Sequence, residues 1–457
     1  MTFRAVNPST GERIADYPLA PEAEVETALA RAERAFGSWS RLSVSERGAP
    51  LRRLAALLRE RAGRYAERMA LEMGKPLPQG RGEAEKCAFA CEHYAKEGAR
   101  ALADIPEPEF PQRAMVVHRP LGAVLAIMPW NFPFWQVLRF FAPTALAGNV
   151  VILKHAENVP GCAEEIAALV ADAGFPPGVF QNLRVPVERI AGLIARPEVR
   201  AVTITGSTRA GRAVAAAAGG ALKPAVLELG GSDPYVVLAD ADLDLAARTC
   251  VTSRLINGGQ SCIAAKRFIV VEPVREAFTE RVVAEMGARR CGDPIAEPDA
   301  GLGPMAREDL RDALHEQVRR SVAAGARLLL GGEVPRRKGW FYPPTVIDQV
   351  PESAPVFREE TFGPVATIIA ARDEAHAIAL ANGTTFGLGA AVFTKDVARG
   401  ERIARESLEA GCCFVNDFVR SDPRLPFGGV RDSGFGRELG EWGVRSFVNV
   451  KTVVVGS

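Results

Sequence analysis

Cys262 ends the run Asn257-Gly258-Gly259-Gln260-Ser261-Cys262, where a glycine pair after a helical stretch gives a flexible turn able to present a thiol to a cleft. A thiolate there is a nucleophile for a carbonyl carbon. A buried cysteine is also an ordinary small apolar residue, so position alone does not assign the role. Glu228 ends an apolar run and is followed by Leu229-Gly230-Gly231. Loss of water there raises a carboxyl pKa towards that of a general base, and the glycines admit close backbone approach. The alternative is a structural carboxylate capping the next segment. Asn131 lies in Pro129-Trp130-Asn131-Phe132-Pro133, directly after another apolar run. An amide between two prolines can aim an N–H donor at developing negative charge, or can simply form a turn.

These three residues need elements to hold them. Apolar runs at 121–128, 150–154, 179–183, 201–205 and 225–229 read as buried strands, with helices near 162–173, 187–195 and 208–217. That alternation predicts an α/β fold with a parallel sheet covered on both faces, which places ligands at the carboxyl ends of its strands. A second series follows, with strands at 235–238, 267–271, 365–370, 389–394 and 412–415. Its helices fall near 243–256, 275–288, 307–323, 373–381 and 397–409. The first hundred residues read as helices. One of them is capped by Ser45 with Glu46, buries Leu51, Leu54, Leu58, Tyr65 and Met69, and stops at Gly74 and Pro76. Residues 105–118 are proline-rich and then extended. The β-prone tail 447–455 needs a partner, either the 114–118 strand or another subunit.

A chain of 457 residues exceeds one ordinary core, and 47% hydrophobic with 24% charged residues suits a soluble multidomain protein. Lysine plus arginine number 56 against 55 acids, so no basic excess marks a nucleic-acid binder. The apolar stretch 121–135 is broken by Pro129, Asn131 and Pro133, which argues against a membrane span, and the N-terminus has no apolar signal core. Eight cysteines without a Cys-x-x-Cys pair fit a reducing, cytoplasmic location. Cys87, Cys91 and His93 read as helix packing, and no metal site is expected.

Taken together, the three segments resemble the aldehyde dehydrogenase superfamily nearly end to end. So do Lys154 in Leu153-Lys154-His155-Ala156-Glu157, Thr205-Gly206-Ser207-Thr208-Arg209-Ala210-Gly211, Glu360-Thr361-Phe362-Gly363-Pro364-Val365 and Pro426-Phe427-Gly428-Gly429. The resemblance implies Cys262 as nucleophile, with Asn131 and the Cys262 N–H holding the oxyanion. Hydride leaves for a nicotinamide, and Glu228 activates the water that hydrolyses the thioester. Relatives that transfer the acyl group to coenzyme A generally lack this glutamate, so a carboxylate product is implied.

For the cofactor, the resemblance implies Lys154 and Glu157 at the adenosine ribose, Glu360 at the nicotinamide ribose with Phe362 beside it, and Trp130 and Leu229 in the same cleft. The turn after 201–205 lacks Gly-x-Gly-x-x-Gly. Instead Gly206 and Ser207 open a helix whose N-terminus can receive the pyrophosphate. A carboxylate at 157 repels a 2′-phosphate and favours NAD, whereas Lys154, with help from His155, pulls towards NADP.

Arg139, amid Trp135, Leu138, Phe140 and Phe141, either faces the substrate channel or forms a salt bridge to another helix. Succinate-semialdehyde dehydrogenases, whose short bacterial form the chain most resembles, place an arginine there and a serine at the position of Ser421 to hold the substrate carboxylate. Longer members carry a second arginine where this chain has Ile256, with Arg254 nearby as a possible substitute. They often carry a second cysteine where it has Ala264. Homologous ω-semialdehydes and a broad aldehyde range therefore stay open. The rival from another class is a nucleotide-independent thiol esterase. The expected organisation is a cofactor domain of 1–104 and 119–230, a catalytic domain of 231–430, and a bridging β element of 105–118 and 431–457. That bridge implies a homodimer or homotetramer.

Overall fold

The computed structural model describes residues 2–456. Two large sheets dominate it. In the first, Ala123–Met128 lies between Val150–His155 and Val199–Thr205, with Phe180–Asn182 and Ala225–Glu228 outside them, all parallel. In the second, Asp233–Val237 lies between Ala265–Val271 and Gly389–Phe393, flanked by Val365–Ala371, Thr345–Asp348 and Cys412–Val415. In each sheet the first strand of the series is central, with later strands on both sides of it, which makes a topological switch point beside it.

The period-2 alternation of the strands divides the second sheet between two cores. Val236, Ile269 and Val271 face one, and Tyr235, Val237, Phe268 and Val270 face the other. The first sheet shares a single large core with the N-terminal helices, including Leu51, Leu54, Leu58, Tyr65 and Met69. All ten strands expected of the two series are present within a few residues of the expected ends.

Several expectations need correction. The N-terminus opens with an antiparallel hairpin, Thr2–Val6 against Arg13–Pro18, before any helix. Its turn signals, Asn7-Pro8 and Thr10-Gly11, and its buried alternation of Phe3 and Ala5 fit a strand pair. The expected helix from Ser45 is two helices, Val44–Glu60 and Ala62–Met73, broken at Arg61. Its cap is Ser43, not Ser45. Ser43 accepts from the Glu46 N–H while Glu46 accepts from the Ser43 N–H, a reciprocal box that requires a spacing of three. Gly74 ends the second helix in the left-handed conformation, as a C-terminal glycine does.

Strands Arg327–Leu330 and Thr345–Asp348, unforeseen in the sequence, extend the second sheet. The tail Val448–Val455 pairs antiparallel with Arg113–Pro120, and Ile105–Glu107 completes that three-stranded sheet. Gly434–Phe435 does not join it. Those residues pair with Leu227 and Glu228 on the first sheet.

Candidate active site

The segment Leu229–Ser232 carries the chain from the carboxyl end of one sheet strand, Glu228, to the amino end of another, Asp233. The sheets therefore meet end to end. Asn131, Glu157, Gly206 and Glu228 follow or end strands of the first sheet, and Cys262 and Glu360 precede strands of the second.

Cys262 sits half-buried in the wall of a cavity of about 630 Å³, together with Phe132, Trp135, Arg139, Lys86 and Ser421. The loop that delivers it is rigid, not a flexible glycine turn. Asn257, Gly258 and Gly259 are all left-handed, with φ of 57°, 64° and 77°. A Cβ on Gly259 would lie 2.2 Å from the Gly363 carbonyl oxygen, so a side chain there is excluded twice over. Asn257 adopts its strained conformation because its amide donates to the carbonyls of Asn131 (2.7 Å) and Gln260 (3.1 Å).

The Asn131 amide reaches the same loop, donating to the Gln260 carbonyl at 3.1 Å. An amide nitrogen has two hydrogens, so one remains for an oxyanion. Among the described residues the Cys262 N–H has no partner in the chain. Burial pushes the Cys262 thiol up to about 12, against the opposing charges of Lys266 and Arg139. Lys266 is locked below it, donating to the Ser261 carbonyl (3.0 Å) and the Cys262 carbonyl (2.5 Å) and pairing with Glu360 at 3.2 Å.

Glu228 is buried at the strand end, and neither of its carboxylate oxygens has a hydrogen-bond partner. Burial and then the Glu438 carboxylate raise its pKa well above the usual range, while Arg139 opposes them. It does not line the Cys262 cavity but lies against Gly428, where a Cβ would meet its Oε1 at 2.6 Å.

Arg139 lines the cavity and also makes the alternative contact. Its Nε is 2.5 Å from Glu438 Oε2, with the two side chains only 2% and 4% exposed, and Nη2 donates to Thr205 Oγ1 at 3.3 Å. Glu438 carried no sequence signal beyond a glycine-rich neighbourhood, and it reaches Arg139 because its backbone bridges Phe427. Arg254 does not belong to the cavity. It is fully buried with Nη2 on the Gly259 carbonyl (2.5 Å) and Nη1 on that of Thr361 (3.4 Å), so it braces the cysteine loop. Ser421 does face the cavity, and its hydroxyl accepts from Lys86 Nζ at 2.8 Å. Lys86 escaped the sequence reading because a lysine on a long helix is ordinarily a solvated face.

The residues expected at the cofactor lie in two groups. Trp130, Lys154 and Glu157 line a second cavity of about 520 Å³, with Lys154 Nζ 3.7 Å from Glu157 Oε1. Trp130 also meets Phe362 edge to face at 5.8 Å. Glu360 accepts from the Gly231 N–H at 3.1 Å, and a Cβ on Gly230 would strike its Oε2 at 2.4 Å. Leu229 packs on Gly211 of the helix Thr208–Gly220, which Ser207 caps by accepting from the Ala210 N–H. The Gly206 N–H is taken by the Glu228 carbonyl.

His155 cannot help Lys154 attract a phosphate. Burial pulls its pKa down to about 4, its Nδ1 accepts from the Ala156 N–H, and its Nε2 therefore donates to the Pro133 carbonyl. It fastens the Asn131 loop. An aromatic pair, a lysine beside a carboxylate and a glycine-cradled glutamate form a donor and acceptor set that suits a dinucleotide. Among the described residues no cluster of histidine, cysteine and acidic groups could hold a metal.

Comparison with known proteins places this arrangement. Residues 1–453 match the profile of the aldehyde dehydrogenase family. The chain is 49% identical to the succinate semialdehyde dehydrogenase [NAD(P)+] Sad of Escherichia coli K12, covering 98% of this chain and 97% of that one. It is 45% identical to a probable NADP(+) succinate-semialdehyde dehydrogenase of Synechocystis, covering 99% of each. The structure of succinic semialdehyde dehydrogenase from Streptococcus pyogenes, solved with NADP+, superposes with a TM-score of 0.97 at 34% identity over the whole of both chains. With the asparagine and the cysteine loop brought together where the two α/β sheets adjoin, and with relatives matched end to end, the chain belongs to the aldehyde dehydrogenase family.

Proposed function

We propose that the protein oxidises succinate semialdehyde to succinate with a nicotinamide dinucleotide. The observation that carries the substrate class is the cationic wall of the Cys262 cavity, where Lys86, Arg139 and Ser421 stand in an otherwise largely apolar chamber. An aldehyde bearing a carboxylate at its far end suits such a chamber better than a neutral one does.

In this reading Cys262 Sγ gives up its proton to solvent and bonds the aldehyde carbon, and the carbonyl π pair moves to the oxygen, an oxyanion held by the free Asn131 hydrogen and the Cys262 N–H. A nicotinamide dinucleotide held in the neighbouring cleft would supply the hydride acceptor, and the acyl group stays on Cys262 as a thioester. Glu228 turns from Gly428 towards the thioester and takes a proton from the attacking water. Its raised pKa makes it a stronger base than an exposed glutamate. Succinate leaves and the thiol is restored. Lys154 and Glu157 would hold the adenosine ribose and Glu360 the nicotinamide ribose, with Phe362 and Trp130 beside them and Gly206, Ser207 and Leu229 at the phosphate end. The Glu157 carboxylate favours NAD over NADP.

The cofactor unit is 1–104 and 119–230 and the catalytic unit is 231–430. Val450, Val454 and Val455 are exposed on an edge strand, with Ile105 and Phe110 exposed at the same small sheet. An apolar edge of this kind suits pairing with a second copy, hence a homodimer or homotetramer. Eight unpaired cysteines suit a reducing, cytoplasmic setting, and no helix among the described residues is long and apolar enough to cross a membrane.

The test is reduced-nucleotide formation with succinate semialdehyde, glutarate semialdehyde and butanal, each with NAD and NADP. A higher kcat/KM for the four-carbon semialdehyde with NAD is expected. Preference for butanal overturns the carboxylate reading, and preference for glutarate semialdehyde reassigns the chain length.

A further inference from the structure

Four cationic side chains line the Cys262 cavity: Lys86, Arg139, Arg289 and Arg420. Three already have carboxylates. Arg139 pairs with Glu438 at 2.5 Å, Arg420 with Asp417 at 2.7 Å, and Arg289 with Glu285 at 3.4 Å, the last two on exposed side chains at the margin. Lys86 has no acidic partner among the described residues.

The acids near Lys86 are committed elsewhere. Glu83, one turn away on the helix Leu77–Ala101, pairs with Lys75 and accepts the N–H groups of Phe134 and Trp135 at 2.9 Å each. Asp422 pairs with Arg424 at 2.6 Å. What Lys86 does have is a neutral cradle. Its ammonium donates to the buried Ser421 hydroxyl at 2.8 Å and lies 4.3 Å from the centre of the Trp135 ring. Burial, and then the Arg139 charge, lower its pKa to about 8. An uncompensated cation in a low-dielectric wall gains most when an anion arrives.

We infer that Lys86, with the Ser421 hydroxyl, is the group that receives the substrate carboxylate, and that Arg139 serves instead to hold Glu438. This rests on the substrate class proposed above. It accounts for specificity in a chain with Ile256 where longer relatives carry a second arginine. The ammonium has three donors, so it can keep Ser421 and still bind a carboxylate oxygen. A charged hydrogen bond of this kind contributes about 1.5–3 kcal/mol, about 10- to 100-fold in affinity.

The experiment compares succinate semialdehyde with butanal, its chain-length match without the carboxylate, on the full-length enzyme and on Lys86→Met and Lys86→Arg. For Lys86→Met, kcat/KM for succinate semialdehyde is expected to fall about 10- to 100-fold through KM, with a much smaller change on butanal. Lys86→Arg is expected to recover part of the loss. Butanal turnover also reports that the variants are folded. If the parent enzyme prefers succinate semialdehyde but Lys86→Met leaves that preference intact, the assignment of Lys86 is overturned while the substrate reading stands. If the parent shows no preference, the substrate reading itself fails, and this inference with it.

Discussion

Replacing Arg139 by methionine separates a structural role from a direct role in substrate binding. In the native protein Arg139 is the cation paired with Glu438, and its charge also offsets that of Glu228. Both carboxyl groups are buried, and burial raises both pKa values even with Arg139 in place. Removing one member of a buried pair costs about 3–5 kcal/mol, because the other is left charged or must take up a proton.

The pH dependence then has a definite sign. Each carboxyl has a folded pKa above its unfolded value, and the substitution raises it further. Protonation therefore favours the folded state fully below the unfolded value, and that stability is lost as pH rises through the folded pKa. Urea unfolding of Arg139→Met, followed by tryptophan fluorescence, should show a larger deficit at about pH 8.5 than at about pH 6. Arg139→Met with Glu438→Gln should regain about 2–3 kcal/mol of the loss. An unfolding midpoint equal to the parent's at both pH values, with only the KM for carboxylate-bearing aldehydes changed, would refute the reasoning and return Arg139 to the substrate.

With the Cys262 thiol pushed up to about 12, only about 10⁻⁴ of it is thiolate at pH 8 when no nucleotide is bound. Iodoacetamide labelling of the Cys262 peptide should therefore rise about tenfold per pH unit from about pH 7 to 10. A plateau by about pH 8.5 contradicts the desolvated environment. Glu157→Gln removes the charge facing a 2′-phosphate and should raise kcat/KM with NADP about tenfold, and an unchanged ratio of NADP to NAD would remove Glu157 from selectivity. Gly259→Ala forces a methyl into the Gly363 carbonyl and should lower kcat about 100-fold while nucleotide binding, read by fluorescence, persists. Parent-like turnover would show that the loop can relax.

The strands that frame the site were legible because each is a short apolar run bounded by turn residues, the pattern of a strand buried on both faces of a parallel sheet. The hairpin Thr2–Val6 with Arg13–Pro18 was hidden by its exposed, arginine-bearing face, although its turn residues were visible. Residues of the site that sit in unusual local sequence, such as Asn131 between prolines and Cys262 after two glycines, could be singled out in advance. Pairings made by tertiary approach could not. Glu438 lies far from Arg139 in sequence, and the spacing of Lys86 on its helix is that of any solvated lysine. Arg254 and His155 show the converse. Each has a functional residue type in a suggestive place, and the fold spends each on bracing a backbone loop.

The central claim is that the oxidised substrate passes through a thioester on Cys262 which Glu228 then clears. In Glu228→Gln, mixed with succinate semialdehyde and NAD and quenched in acid, digestion and mass analysis should find the Cys262 peptide heavier by a succinyl group, about 100 Da, after a burst of reduced nucleotide. Steady full-rate turnover with no such adduct, or an adduct on any other residue, would contradict the account.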